Sequence, residues 1–238
     1  MRTNFSASRL VRLLDAPHPH SRPPLGADFD ITERLGHWVS AFDAVTLHAL
    51  HQSLAALPRG RLATVAPDAL DQLEAQFRSV RTVLVGTAAA GLAIAQESWT
   101  HGDAAGAAQR PSFAPLRRHY QEQQRQMGLK IDPLRAEARR VLSRASPGLR
   151  KLAMLDALWE QMLGAREHKS LAVVPSVLER RFEALRAAQA AAGEPAQSAT
   201  WLQDFAHQAR DVLVAEIDMR LQPVAGLIQA LRSESKTQ

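Results

Sequence analysis

Residues 131–163 read IDPLRAEARRVLSRASPGLRKLAMLDALWEQML, and the spacing of their apolar residues decides the fold class. Ile131, Leu134, Ala138, Val141 and Leu142 recur at the three- and four-residue steps that return an α-helix to one face. Ser146 then stands at an N-cap position and Pro147 at the first helical position, where its missing N–H is no loss. A second helix follows, with an expected seam of Leu152, Leu155, Trp159 and Met162. The other faces are charged, so both helices are amphipathic.

The same reading extends outward in both directions. Asp30 and Glu33 have capping-box spacing, and Ile31, Leu35, Trp38, Phe42, Val45 and Ala49 predict a long helix that Pro58 and Gly60 end. A helix is expected from about Pro67 to Trp99, seamed by Leu70, Leu73, Phe77, Val80 and Leu84. Its later half, VLVGTAAAGLAIA, is apolar all round, the pattern of a helix buried among others, with Gly86, Ala90 and Gly91 allowing close approach. The basic segment is expected to be helical from about Pro115 to Ala145, broken at Gly128 or restarted where Asp132 caps a helix beginning at Pro133. Leu178, Phe182 and Leu185 mark a helix over about 176–192. Leu202, Phe205, Leu213, Ile217, Leu221, Val224, Ile228 and Leu231 mark a last one from about Thr200, with a kink expected at Pro223. No strand pattern of useful length occurs. The expected fold is all-α, an elongated bundle of long antiparallel amphipathic helices with coiled-coil-like packing.

Residues 1–25 read as an appendage to a bundle over 26–238, within which the loop 101–111 is a possible sub-boundary. Ser6 is placed as an N-cap, with Phe5 before it and Leu10 at staple spacing; Leu13 and Leu14 complete a short apolar face. APHPHSRPP (16–24) has four prolines in nine residues and cannot continue that helix. A tethered amphipathic helix is a common docking device, so Phe5, Leu10, Leu13 and Leu14 are candidate partner-binding residues, with docking onto the chain's own bundle as the competing reading.

Composition removes several function classes. With no cysteine among 238 residues there are no disulfides, thiolate metal sites or cysteine nucleophiles. The arginine-bearing start does not read as a secretory signal. The longest uncharged run, Thr82 to Gln96, is fifteen residues against the roughly 20 a membrane span needs. A cytoplasmic protein without membrane insertion is the expectation. GTAAAG (86–91) lacks the Lys-Ser/Thr of a phosphate loop. His48 and His51, or Asp204, His207 and Asp211, share helical faces without a complete metal site. No GxSxG elbow or paired catalytic carboxylate is present, so the protein is read as not an enzyme, with no cofactor and no metal.

One polar feature stands out. Residues 110–151 hold 11 basic and 3 acidic side chains, against 9 and 10 before them and 9 and 11 after. Arg117, Arg118, Arg125, Lys130, Arg135, Arg139, Arg140, Arg144, Arg150 and Lys151 would cover about half of a helix circumference. Such a face can track the phosphates of duplex DNA, and arginine suits an acidic protein surface equally well. The bland alternative is a solvated or internally paired face.

Taken together, RTNFSASRLVRLL (2–14), ERLGHWVSAFDAVTL (33–47), FRSVRTVLV (77–85), RRHYQEQQRQM (117–127), SPGLRKLAMLDALWEQMLGARE (146–167), VPSVLERRFEALR (174–186) and DVLVAEIDMRLQPVAGLIQALR (211–232) resemble the ZorF component of type III Zorya anti-phage systems, an uncharacterised bacterial helical family. The resemblance implies a neighbourhood of two stator-like membrane proteins that form a proton-driven motor, and a second cytoplasmic protein, ZorG. It implies a cytoplasmic effector or adaptor that works with a ZorG-like partner on duplex DNA. The alternative is a protein–protein adaptor between that partner and the cytoplasmic tail of the motor, with homo-oligomerisation a further possibility. No catalytic motif comes with the resemblance.

Overall fold

The structure is a computed structural model, and it describes residues 8–15, 48, 52, 68–100, 111–191 and 199–236. The fold class is all-α: among the described residues the elements are α1 (Arg9–Asp15), α2 (Ala69–Thr100), α3 (Ala114–Ala145), α4 (Pro147–Leu171), α5 (Val174–Ala191) and α6 (Ala199–Ser235). Of the helix expected over 30–57 only His48 and Gln52 are among the described residues, both helical; Phe5 lies outside them. The chain forms two compact units, one of residues 1–22, 81–129 and 172–220, the other of residues 23–80, 130–171 and 221–238. The divisions fall inside α2, α3 and α6, and the loop 101–111 lies within the first unit's span.

The first unit has an aromatic core. Trp99, Phe113, Phe182, Trp201 and Phe205 are all buried, with ring centroids 5.1–6.2 Å apart in tilted and edge-on pairs. Such pairs contribute about 0.5–1.5 kcal/mol each beyond their area. The Trp99 indole N–H donates to the Ser112 carbonyl at 2.7 Å, so its polar end is satisfied as its body is buried. Along α2 the buried stripe is Leu84, Ala88, Leu92, Ala95 and Trp99. The helix is not buried all round, as its composition had led one to expect: Val83 is 43% and Ile94 66% exposed on the opposite side.

The expected close approach on α2 is made by a side chain. A Cβ built at Gly91 would overlap the His119 ring, whereas one at Gly86 would meet nothing within 4 Å. Gly91 therefore makes room for the imidazole, and Gly86 faces open space.

In the second unit, Ile131, Leu134, Ala138, Val141 and Leu142 are buried as their periodicity predicts. The Ser146 hydroxyl accepts from the Leu149 N–H at 3.1 Å, the bond an N-cap makes to the third helical residue. Two expectations need correction. First, α3 is neither broken at Gly128 nor restarted at Pro133; it runs from Ala114 to Ala145 with Pro133 inside it. Proline deprives the Leu129 carbonyl of its partner, but Leu129 is 58% exposed and Pro133 is exposed, so water reaches that side of the helix. Second, α4 does not bury its predicted seam. Trp159 is 44% exposed and Leu152, Leu155 and Met162 are partly exposed, while Leu149, Ala153, Leu158 and Leu171 are buried. The reason is polar, and it concerns Asp156 and Glu160.

Helix α6 continues through Pro223. Its predicted stripe is buried along its whole length, from Leu202 and Phe205 to Ile228 and Leu231.

Candidate functional site

Arg135 and Arg139 sit one turn apart on α3, Asp156 and Glu160 one turn apart on α4. Arg135 donates to the Asp156 carboxylate from Nη2 at 2.6 Å and from Nε at 2.8 Å. Its Nη1 reaches Glu160 at 3.4 Å. Arg139 donates from Nε to Asp156 at 2.6 Å and from Nη2 to Glu160 at 2.5 Å. The side chains of Arg135, Arg139 and Asp156 are only 12–17% exposed. Burial alone would raise the Asp156 carboxyl, but the hydrogen bonds and charges of Arg135 and Arg139 outweigh it and hold the pKa below its usual value. The Arg135 pKa is raised: burial would lower it, but the hydrogen bonds and charge of Asp156, with the charge of Glu160, outweigh that. Two cations at the centre of the presumed phosphate-tracking face are therefore turned inward and neutralised. These pairs also set the rotation of α4, which an apolar-period reading cannot see.

The other eight candidates divide into three sets. Arg117 pairs with Glu179, Arg125 with Glu122 at 2.7 Å, and Arg140 with Glu137. The Glu122 carboxyl is held at about 2 by the hydrogen bonds from Arg125 and Gln126. These pairs are more exposed than the central network, and exposed pairs contribute only about 0–1 kcal/mol, so a phosphate could still claim such an arginine. Arg150 donates to the Ser143 carbonyl at 3.1 Å, bridging the turn between α3 and α4. Arg118, Lys130, Arg144 and Lys151 have no ion-pair partner among the described residues. The broad basic face thus reduces to scattered free cations, with Arg144 and Lys151 near the α3–α4 turn.

The arm is docked on its own unit. Its described helix begins at Arg9, where the Ser8 hydroxyl accepts from the Val11 N–H at 3.3 Å; the cap in the structure is Ser8, where the sequence had pointed to Ser6. Leu10 is 3% exposed, and Leu13 and Leu14 are half-buried. Arg181 on α5 donates to the carbonyls of Leu13 and Leu14 at 3.2 and 3.1 Å, and Arg9 lies 3.6 Å from Asp211. Leu10 is therefore not a free partner-binding side chain in this state; it is already buried against the chain itself.

A second buried polar group escaped the sequence reading. Glu216 on α6 is fully buried, accepting from the Tyr120 hydroxyl at 2.7 Å, from Gln124 Nε2 at 3.1 Å and from Arg220 Nη2 at 2.7 Å. Desolvation, with the Glu216 charge, pushes the Tyr120 phenol well above its usual pKa. Arg220 stands at i+4 spacing, but Gln124 and Tyr120 lie 92 and 96 residues from Glu216 along the chain, so no spacing rule could have joined those two to it. Every oxygen of the carboxylate is occupied, which makes this a structural cluster that fixes α3 against α6 in the first unit.

The weaker candidates gain nothing. GTAAAG lies inside α2, a continuous helix with no loop to cradle a phosphate. No group of three or more histidine or acidic side chains that could hold a metal occurs among the described residues. Gln52 bonds the His48 ring at 2.9 Å, His51 lies outside the described residues, and Asp211 faces Arg9. Helix α2 is long and apolar enough by length and composition to cross a membrane. The uncharged run counted from sequence was shorter because it stopped at the first charge on either side. The stripe from Leu84 to Trp99 nevertheless packs one side of α2 into the first unit's core.

None of the curated proteins matches the chain. No solved structure matches it. One family model does, described as a protein of unknown function (DUF3348), and it matches residues 1–233. With nearly the whole chain matched, from the arm to the end of α6, this protein belongs to the DUF3348 family.

Proposed function

We propose that this protein is a non-enzymatic cytoplasmic adaptor of a Zorya-type anti-phage system, binding a ZorG-like protein and linking it to the cytoplasmic tail of a stator-like membrane motor. The resemblance of the sequence supplies the setting. The observation that favours protein binding over DNA binding is the Arg135–Arg139–Asp156–Glu160 network. It takes the central cations of the basic face out of reach of phosphate, because breaking a buried pair leaves an uncompensated charge.

A second reading keeps duplex DNA, through the cations that have no ion-pair partner among the described residues: Arg118, Lys130, Arg144 and Lys151. If all four met phosphates, log affinity would fall against log salt with a slope of about −3 to −4. The deciding experiment titrates the full chain into labelled duplex DNA at several salt concentrations, alone and with the ZorG-like partner, beside an Arg144→Glu, Lys151→Glu variant. The adaptor reading expects partner co-purification and no salt-sensitive DNA binding. Salt-sensitive binding that the folded variant loses would replace it with the second reading.

A further inference from the structure

Arg181 differs from the other inward-facing arginines in what it meets. Its guanidinium is half-buried on α5, and its partners are the carbonyl oxygens of Leu13 and Leu14. These are among the last carbonyls of α1, which no intrahelical N–H can satisfy, and a cation there also faces the negative end of the helix dipole. Among the described side chains no carboxylate is in ion-pair range of Arg181; the acids beside it on α5 are engaged elsewhere, Glu179 with Arg117 and Glu183 with Arg186. Burial lowers the Arg181 pKa. The rest of the arm's hold is modest: Leu10 in its slot and a loose Arg9–Asp211 contact at 3.6 Å between two side chains more than half exposed.

We propose that this arm site is a receptor for a short amphipathic segment of a partner protein bearing a carboxylate where the arm presents the Leu13 and Leu14 carbonyls, and that the arm is its intramolecular placeholder. The chemistry follows from the guanidinium fork. A carboxylate accepts two parallel charge-assisted N–H bonds and neutralises the desolvated cation; two amide carbonyls satisfy the donors and leave the charge. An anionic segment with a leucine at the Leu10 position therefore displaces the arm, while tethering keeps a neutral one from doing so at low concentration. The carboxylate can come from a side chain or from a chain terminus. The inference deepens the adaptor reading by naming a docking site, but its outcome does not depend on the DNA titration, so failure of one is distinguishable from failure of the other.

The test uses peptides of residues 1–14, MRTNFSASRLVRLL, fluorescently labelled at the N-terminus. One ends in a free carboxylate, which falls where the Leu14 carbonyl sits; a second is amidated; a third is amidated with Leu14→Glu. Each is titrated into full-length Leu10→Asp protein, whose own arm is released, with circular dichroism to confirm the fold. The free acid or the Glu peptide is expected to bind about tenfold tighter than the plain amide. Whichever gains tells a chain terminus from a side chain as the source. In the Leu10→Asp, Arg181→Gln protein the advantage should vanish. A parallel measurement needs no variant: excess free-acid peptide should speed hydrogen exchange of the residue 9–15 amides in the wild-type chain. Equal binding of all three peptides, an advantage that survives Arg181→Gln, or wild-type exchange unchanged by the tighter-binding peptide would overturn the proposal.

Discussion

Two inward-turned arginine sites, one in each unit, answer the same problem differently. In the second unit Arg135 and Arg139 face Asp156 and Glu160, so charge and hydrogen bonds are satisfied together. In the first unit the acceptors Arg181 meets among the described residues are main-chain carbonyls, which satisfy hydrogen bonds without bringing an opposing charge. The first arrangement is closed and gains nothing from an outside ligand. The second is complete only as long as no better acceptor arrives. Burial of an arginine therefore says little by itself about availability; the identity of the acceptor decides it.

The most severe way to break the closed site is Asp156→Ala, which strips two largely buried guanidiniums of their shared acceptor. A loss of about 3 kcal/mol is expected in urea unfolding of the full chain. The same group gives that site a pH signature. The folded Asp156 pKa lies below the unfolded value, so its contribution is complete above about pH 4 and is lost as pH falls through the folded pKa. The unfolding midpoint should drop over that range in the wild type and drop less in Asp156→Asn.

A control on packing comes next. Gly91→Ala forces a methyl into the His119 ring without touching either arginine site, and overpacking of this kind costs about 2 kcal/mol. The midpoint should fall while hydrogen exchange of the arm amides relative to global unfolding stays as it was; selective arm release would mean that the two regions are coupled. His119 is itself informative: burial lowers its pKa against the raising effects of the Ala88 carbonyl and Glu122, and its buried Nε2 has no partner. A proton added there has nothing to meet, so stability should decline as pH falls below the unfolded histidine value, an effect that His119→Gln removes.

Arg181→Gln should matter less than loss of Asp156, because it removes a poorly compensated charge along with two hydrogen bonds. About 1 kcal/mol is expected in global stability, with faster exchange confined to residues 9–15. A loss as large as that of Asp156→Ala would erase the contrast between the two sites. The smallest effect belongs to Arg144→Glu with Lys151→Glu, within about 0.5 kcal/mol of wild type in thermal unfolding, since neither side chain has an ion-pair partner among the described residues.

What the sequence revealed follows from what periodicity can carry. The α3 face from Ile131 to Leu142, the α6 stripe and the Ser146 cap are local patterns, and each is found where its spacing put it. The rotation of α4 was not legible, because Asp156 and Glu160 look like surface residues until Arg135 and Arg139, some 17 to 25 positions away, are seen to need them. Glu216 was unreadable for the same reason at longer range. The continuous path of α3 through Pro133 depended on which side of the helix met water, and only the packed structure tells that. For the candidate site, the basic segment was found as a composition, while the distinction between its paired and unpaired members required the carboxylates of other helices. Arg181 offered no signal beyond being one of two adjacent arginines on a helix.

The bond from Arg181 to Leu13 spans 168 residues. During synthesis the arm leaves the ribosome well before Arg181: at about 5–20 residues per second the wait is roughly ten to thirty seconds. Throughout that interval the leucine face of the arm has no seat on its own chain. The order of translation thus separates the appearance of the arm from that of the side chain that holds it.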